Sequence, residues 1–469
     1  MYGWSVLLKM GKRRKEQEME QSRNKFFSKL EKYAFVMLCV LMLDCSIFGA
    51  GKIVKIGGIS FRQFVLAILL ILSVPTILKK IGFLLKDPIV WMVIAFGGWV
   101  IISAIMGMKN KHRMDLLLSD VKGFIYFVFL PTAMCLLSSK ERILALMRTM
   151  MYGAMILGVL AILYLVAYIV TDIGSIIDWG HDQMFTRISG ISDKIPRIFF
   201  HSELYLLCGC AFACYLQMQE RKLSLKYIVV IAIDLWAVLL SYTRSVYLAT
   251  LLAAVGTLLS IYCFVDSKQR KILYKFVGGA IILTLILMLG FSAIFKTNYA
   301  GYAFSRTVIS TEQLESTVVE ESSSIESEKE QQDAFNEQTI LSDQLRAITK
   351  RDLLTNIKKS PWIGLGLGAE IPSRPSGYNE YFYLDLWSKS GIIGVVLYIL
   401  PILWMVVRFV REKNRDNKSL VGVFLSVLIG FAVYSYFNPY MNASLGILFY
   451  CCVIGVSKFT TTNKINQIY

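Results

Sequence analysis

Apolar runs long enough to cross a lipid bilayer recur along almost the whole of this chain, and that repetition decides the fold class. A helix needs about 20 predominantly apolar residues to cross roughly 30 Å of hydrocarbon, and it satisfies its own backbone on the way. Runs of that kind fall near 33–50, 62–78, 88–106, 119–137, 149–170, 200–217, 227–241, 245–264, 276–294, 384–407, 419–436 and 441–457. A mean hydropathy of +0.55, with 55% hydrophobic residues in 469, lies beyond what soluble domains carry. The expected fold is an all-α polytopic membrane protein with about twelve transmembrane helices.

Charge sets the orientation. The net charge of +17 is not a nucleic-acid footprint, because the basic residues sit in short clusters between apolar spans and not on a face interleaved with aromatics. With the amino terminus inside, the linkers 79–86, 138–148, 218–226, 266–275 and 408–418 carry 3, 3, 3, 4 and 5 lysines and arginines, and residues 1–32 carry 9. Short basic linkers stay cytoplasmic, so both termini are expected inside. Only the turn with Lys109, Lys111 and Arg113 is basic on the wrong side.

The domain plan follows. Residues 1–32 are a basic cytoplasmic segment rather than a signal peptide. Residues 33–294 hold spans one to nine, with an outer loop at 171–199, and 295–383 form a large extracytoplasmic loop between spans nine and ten. Spans ten to twelve occupy 384–457, and 458–469 form a cytoplasmic tail. All nine cysteines fall in apolar spans, so disulfides and a zinc site are not expected. No metal and no cofactor enter this reading.

The loop 295–383 changes character along its length. Residues 310–333 are rich in Ser, Glu and Gln and cannot bury enough surface to offset ordering entropy, so disorder is expected there. From 343 to 358, Leu345, Ile348, Leu353, Leu354 and Ile357 suit an amphipathic helix on the membrane surface. Pro361 ends it, and Gly364, Gly366 and Gly368 follow in a tight turn. This block follows a helix and not a strand, so a dinucleotide fingerprint is excluded; its backbone N–H groups suit an anion.

Several charged residues converge on the outer side, each with a plain reading beside the functional one. Arg346 opens the surface helix, where its planar fork suits a diphosphate and where an interfacial arginine also snorkels. Arg351, Lys358 and Lys359 add charge nearby. Arg244 lies in Ser241-Tyr242-Thr243-Arg244-Ser245, a short outer turn where topology does not favour a cation. Arg187 and Arg197, with His201 and Glu203 beyond them, join a cationic site or decorate a loop. Glu380 stands at the mouth of the tenth span as a general base for a hydroxyl. Asp385 is four residues before Lys389 on a helix, an order that also makes a structural ion pair. Asp44 and Asp234 are intramembrane carboxylates, which mark pathways or hold neighbouring helices. Walker, nucleophile-elbow, zincin and Asp-x-Asp motifs are absent from the sequence, which excludes an ATP-driven pump and a sugar-nucleotide enzyme.

Three blocks together resemble the O-antigen ligase/polymerase (Wzy-like) family of bacterial envelope polysaccharide polymerases. They are the turn Ser241 to Ser245, the stretch Arg346 to Gly368 with its Pro-x-x-Gly-x-Gly-x-Gly ending, and Glu380 to Gly394, which closes in Gly391-Ile392-Ile393-Gly394. The resemblance covers roughly 180–400 and implies a metal-independent glycosyltransferase of the bacterial cytoplasmic membrane. Its substrate would be an undecaprenyl-diphosphate-linked oligosaccharide, polymerised on the outer face as capsule, exopolysaccharide or O-antigen. The implied catalytic residues are Glu380, Arg346 and Arg244. The implied substrate-binding residues are Arg187, Arg197, Arg351, Asn379, Asp385, Gly364 and Gly366. Membrane lipid, a flippase and a chain-length regulator are the implied partners, and nucleic acid is not. Ligases of the family usually show His-Asn eleven residues before the first glycine of the closing motif. Here that place holds Glu380 after Asn379, which tilts the resemblance from ligase toward polymerase. A glycan ligase remains the alternative within the class, and a lipid-linked sugar flippase the alternative outside it. The longest loop is an outer one, whereas a two-bundle transporter joins its halves inside the cell.

Orientation is directly testable. An impermeant thiol reagent on intact cells should modify Ser323→Cys and spare Ser267→Cys. Modification of position 267 alone would invert the topology.

Overall fold

The helix starts at Phe61 and Pro88 are fixed by capping side chains. The computed structural model describes residues 2–49, 53–56, 59–171, 173–192, 195–220, 222–301, 344–375, 377 and 380–465. The tract 310–333, expected to be disordered, lies outside the described residues, and so does Asn379. The helices are α1 (Tyr2–Ile47), α2 (Phe61–Leu84), α3 (Pro88–Lys109), α4 (Met114–Phe124), α5 (Leu130–Leu136), α6 (Lys140–Val170), α7 (Gly174–Asp182), α8 (Leu206–Gln219), α9 (Leu225–Leu240), α10 (Arg244–Tyr262) and α11 (Ser267–Phe295). They continue with α12 (344–359), α13 (Phe382–Arg411), α14 (Arg415–Phe437) and α15 (Ser444–Ile465). Ser60 and Gln63 form a capping box on α2, and Asp87 caps α3 with Pro88 in its first turn.

Among the described residues, eight helical stretches are long and apolar enough to cross a membrane: Phe61–Leu84, Pro88–Lys109, Met114–Leu136, Lys140–Val170, Arg244–Tyr262, Ser267–Phe295, Phe382–Arg411 and Arg415–Phe437. The protein is thus a mostly helical, multi-pass membrane protein. The other four expected spans fall on the carboxyl-terminal part of α1, on α8 and α9, and on α15. Those of α8 and α9 have 14 and 16 residues, short of a full crossing at 1.5 Å per residue. Helix α8 is buried from Leu206 through Met218, as a helix apolar on every side must be. It packs against α6, α9, α10 and α14, while α11 touches mainly α9 and turns Ile281, Ile282, Leu285, Ile286 and Leu289 outward.

Three local expectations need correction. The span near 119–137 is not one helix: α4 passes through a 3-10 turn, Ile125–Phe129, before α5. Pro131 has no N–H to continue an α-helical ladder there. The all-α reading omitted two antiparallel hairpins, Lys55–Ile56 with Ile59–Ser60, and Thr186–Ser192 with Ile195–Phe200; we label these four strands β1 to β4. The surface helix α12 is rotated from the expected face. Thr349, Leu353, Asn356 and Ile357 are buried, and Ile348 and Leu354 are exposed.

The segments assigned to one side by their charge do meet at one end of the bundle. Glu31 accepts from Arg142 at 2.6 Å and lies 3.8 Å from Lys80, and Asp87 accepts from Arg408 at 2.6 Å. At the other end the basic turn after α3 is a docking surface. Asn110 Nδ2 donates to the Leu365 carbonyl at 2.9 Å, His112 Nδ1 lies 3.0 Å from that of Leu367, and Arg113 donates to that of Pro375 at 3.0 Å.

Helix α13 is broken. Gly391 adopts φ 67° and ψ 179° in its interior, a conformation that side chains resist. The break is filled by the glycine turn. Leu365 N and Gly366 N donate to the Ser388 and Lys389 carbonyls, both at 2.9 Å, and Ile392 N donates to Pro361 O at 3.0 Å. Trp99 Nε1 donates to Ser390 O at 2.7 Å, and Leu367 N donates to Ser103 O on α3 at 2.9 Å. Gly364, Gly366 and Gly368 all have positive φ. A Cβ at Gly391 would run into the Trp362 carbonyl, and one at Gly366 into the backbone at Gly107. Gly391→Ala should therefore lower stability by about 2 kcal/mol or more, from backbone strain and steric overlap together. Gly97, whose added Cβ meets nothing within 4 Å, is the control. Thermal unfolding in detergent should show a large fall for Gly391→Ala and little change for Gly97→Ala.

Candidate functional site

Two arginines and one carboxylate meet just before α13. Helix α12 presents Arg346. The loop after the glycine turn is tied back to that helix by Asn356 Nδ2, which donates to Glu370 O at 3.2 Å, and by Ser373 N, which donates to Asp352 at 3.1 Å. A turn then brings Arg374 round, with Gly377 N donating to Arg374 O at 2.9 Å. The Gly377 φ of 76° and its approach to Leu116 need a residue without a side chain. Arg346 Nε donates to Glu380 Oε2 at 2.9 Å and Arg374 Nη2 to Oε1 at 3.0 Å. The side chains of Arg346, Arg374 and Glu380 are 41%, 21% and 14% exposed, so the group opens to the surface.

A third cation lies within reach of this field. Arg197 sits on β4, inside the hairpin, where its Nε donates to Ser241 O and its Nη2 to Thr243 Oγ1, both at 3.2 Å. Those acceptors belong to the turn between α9 and α10, and Arg244 is the first residue of α10 after its cap, Thr243. Burial pushes the Arg197 guanidinium below its ordinary value. The Glu203 carboxylate and Tyr434 oppose that shift, and the charges of Arg187 and Arg346 add to it. The hairpin and α12 thus place arginines within one another's field, and the 241–245 turn is tied to the hairpin through Ser241 and Thr243. Arg187 and Arg244 are exposed.

Other expected site residues are placed differently. The Gly364 and Gly366 amides were expected to face an anion, but they donate to Ser360 O at 3.1 Å and Lys389 O at 2.9 Å. The first closes the turn after α12 and the second repairs the broken helix, and both glycines are buried. Asp385 is also inside: Lys389 Nζ bridges Asp385 Oδ2 at 2.9 Å and Asp120 Oδ1 at 2.8 Å. Asp120 Oδ2 in turn accepts from Gly368 N at 2.8 Å. Arg351 lies exposed further along α12. Asp44 is paired with buried Arg62 at 2.8 Å, and Asp234 is buried against Gly158 and Gly209.

Arg374 and Asp120 escaped the sequence reading. Arg374 lies between two prolines in Ile371-Pro372-Ser373-Arg374-Pro375, a turn signal that placed it in a loop without saying which way the loop returned. Asp120 is a lone carboxylate at the start of an apolar run, and that position was its only signal. Among the described residues no group of three or more His, Cys, Asp or Glu side chains could hold a metal ion. What the site offers is permanent positive charge with directional donors, next to one carboxylate. That combination binds an anion and takes up a proton.

Residues 228–399 match the family described as O-antigen ligase. The matched stretch runs from α9 into α13 and contains Arg244, Arg346, Arg374, Glu380 and Gly391. No curated protein matches the chain.

The burial of Lys389 separates a structural role for Asp385 from a binding one. Lys389→Ala leaves two carboxylates without their common cation and should cost about 3–5 kcal/mol. The exposed Lys358→Ala should stay within about 0.5 kcal/mol. Unfolding temperatures of the purified variants check this, and an unchanged value for Lys389→Ala would refute it.

Proposed function

From an O-antigen ligase/polymerase domain at residues 228–399 in a multi-pass bacterial membrane protein, we propose a polymerase of undecaprenyl-diphosphate-linked oligosaccharide repeat units. The reaction takes place on the outer face of the cytoplasmic membrane. The observation that carries this reading is the pairing of Arg346 and Arg374 with Glu380 inside the matched segment, beside the positive region of Arg187, Arg197 and Arg244.

The chemistry is a substitution at an anomeric carbon. The terminal hydroxyl of one lipid-linked unit attacks C1 of the growing chain. The C1–O bond to the diphosphate breaks with its electron pair, and polyprenyl diphosphate leaves. Arginines stabilise the charge that develops on the leaving diphosphate, which is where preorganised donors contribute most. Arg346 and Arg244 are assigned that role, with Arg374 joining Arg346 at Glu380. The Glu380 carboxylate takes the proton of the attacking hydroxyl. Apolar helix surfaces hold the prenyl tail.

A second reading has one observation in its favour: the matched family is described as a ligase. A ligase would move the finished glycan onto a different acceptor through the same anionic leaving group. Glu380, where the family's ligases usually carry His-Asn, supports polymerase. Purified protein supplied with lipid-linked repeat units alone separates the two. A polymerase lengthens them, and a ligase needs the second acceptor.

In that assay Arg346→Ala and Arg244→Ala should abolish polymer at near-normal membrane abundance. Loss of two charge-assisted bonds at about 1.5–3 kcal/mol each lowers the rate on the order of a hundred-fold or more. Lysine should rescue only partly, since a point charge does not reproduce a planar fork. Wild-type turnover by both alanine variants would sink the diphosphate clamp.

A further inference from the structure

We infer that the Glu380 carboxylate is the resident occupant of the anion site made by Arg346 and Arg374. A polyprenyl diphosphate entering that site displaces it and thereby frees it for the acceptor hydroxyl. This rests on the polymerase/ligase reading above and adds an order of events to it.

The geometry leads there in three steps. Each carboxylate oxygen is engaged by a different guanidinium, at 2.9 Å and 3.0 Å. These are charge-assisted bonds of the kind a phosphate oxygen makes with arginine. A proton delivered to Glu380 in this arrangement would remove the charge that strengthens both bonds, while both guanidiniums stay positive. Base and cation therefore cannot both act while they are paired, and one of them has to change partner.

The second step is access. The arginine group is partly exposed, with 41% of the Arg346 side chain open, so an incoming anion reaches it without unfolding anything. The Lys389 triad is more enclosed, with only 5% of the lysine side chain exposed. The third is charge. Among the described residues two guanidiniums face one carboxylate, and the charges of Arg346 and Arg187 both reach Arg197. A multiply charged diphosphate gains more from that surplus than a single carboxylate does. On exchange the arginines turn to the diphosphate with no covalent change. The freed carboxylate then accepts the hydroxyl proton as the C1–O bond to the diphosphate breaks and its electron pair leaves on the diphosphate oxygen. The proton is thus taken only where a leaving group is already held.

If Glu380 competes with substrate, removing it tightens binding even as it stops turnover. The probe is undecaprenyl diphosphate without sugar, titrated onto the full chain in nanodiscs. Glu380→Gln and Glu380→Ala should bind it about five-fold tighter than wild type and show little polymerisation. Arg346→Ala and Arg374→Ala should bind it more weakly, and Arg346→Ala added to Glu380→Gln should abolish the gain. Unchanged or weaker binding by both Glu380 variants, with weaker binding by the arginine variants, overturns the exchange and leaves the diphosphate reading standing. Wild-type affinity in both arginine variants overturns that reading and the exchange with it. Melting temperature and monodispersity are recorded for every variant, and Glu380→Ala serves where Glu380→Gln is misfolded.

Discussion

A membrane helix that is interrupted must find new partners for the backbone groups it releases, because hydrocarbon supplies none. Gly391 interrupts α13, and the carbonyls of Ser388, Lys389 and Ser390 and the amide of Ile392 are satisfied from outside the helix. Three of those four partners come from residues 361–366, and the fourth is Trp99. The loop that leads to Glu380 is therefore part of the interior of the bundle. Its glycines are needed because backbone meets backbone at Gly107, at Leu117 and across the break itself. Arg346, Arg374 and Glu380 stand on either side of this anchored turn, so their spacing is set by the packed helices beneath.

Two charge triads flank the anchor, and they are built in opposite senses. One places a carboxylate between two arginines, the other an ammonium between two carboxylates. The first has a formal positive surplus and faces the surface. The second has a formal negative surplus and is more enclosed, with the Lys389 and Asp385 side chains 5% and 9% exposed. Buried charge of the second kind is expensive to desolvate and fixes register more than it adds stability. Charge of the first kind stays available to a ligand. The same side-chain chemistry thus serves assembly in one place and recognition in the other, and exposure decides which.

Hydropathy and charge made the helical class and the shared end of the basic linkers legible. The Ser241–Ser245 turn, Arg346 and Glu380 were legible as places where chemistry could be built. What stayed hidden depended on contacts between distant segments. Glu380 reads as a lone carboxylate until the loop returns Arg374 to it. Gly364-x-Gly366-x-Gly368 reads as an anion nest until the carbonyls of a broken helix are known to need its amides. The basic turn at Lys109–Arg113 violates the charge rule until Leu365, Leu367 and Pro375 dock on it. The period of α12 placed Ile348 and Leu354 inside. Polar Thr349 and Asn356 took the buried face because they bond to Ser373 and Glu370, which apolar periodicity does not register.

The partners of α3 and α4 are made late. Trp99 and Asp120 wait for Ser390, Gly368 and Lys389, which lie 248 to 291 residues further along the chain. At about 5–20 residues per second, that interval is roughly ten to sixty seconds of synthesis. Throughout it Asp120 stands at the rim of a hydrophobic span with neither the ammonium nor the amide that later holds it. A nascent chain that stalls before residue 389 keeps that charge uncompensated. The pairing of that carboxylate thus waits on the synthesis of α13.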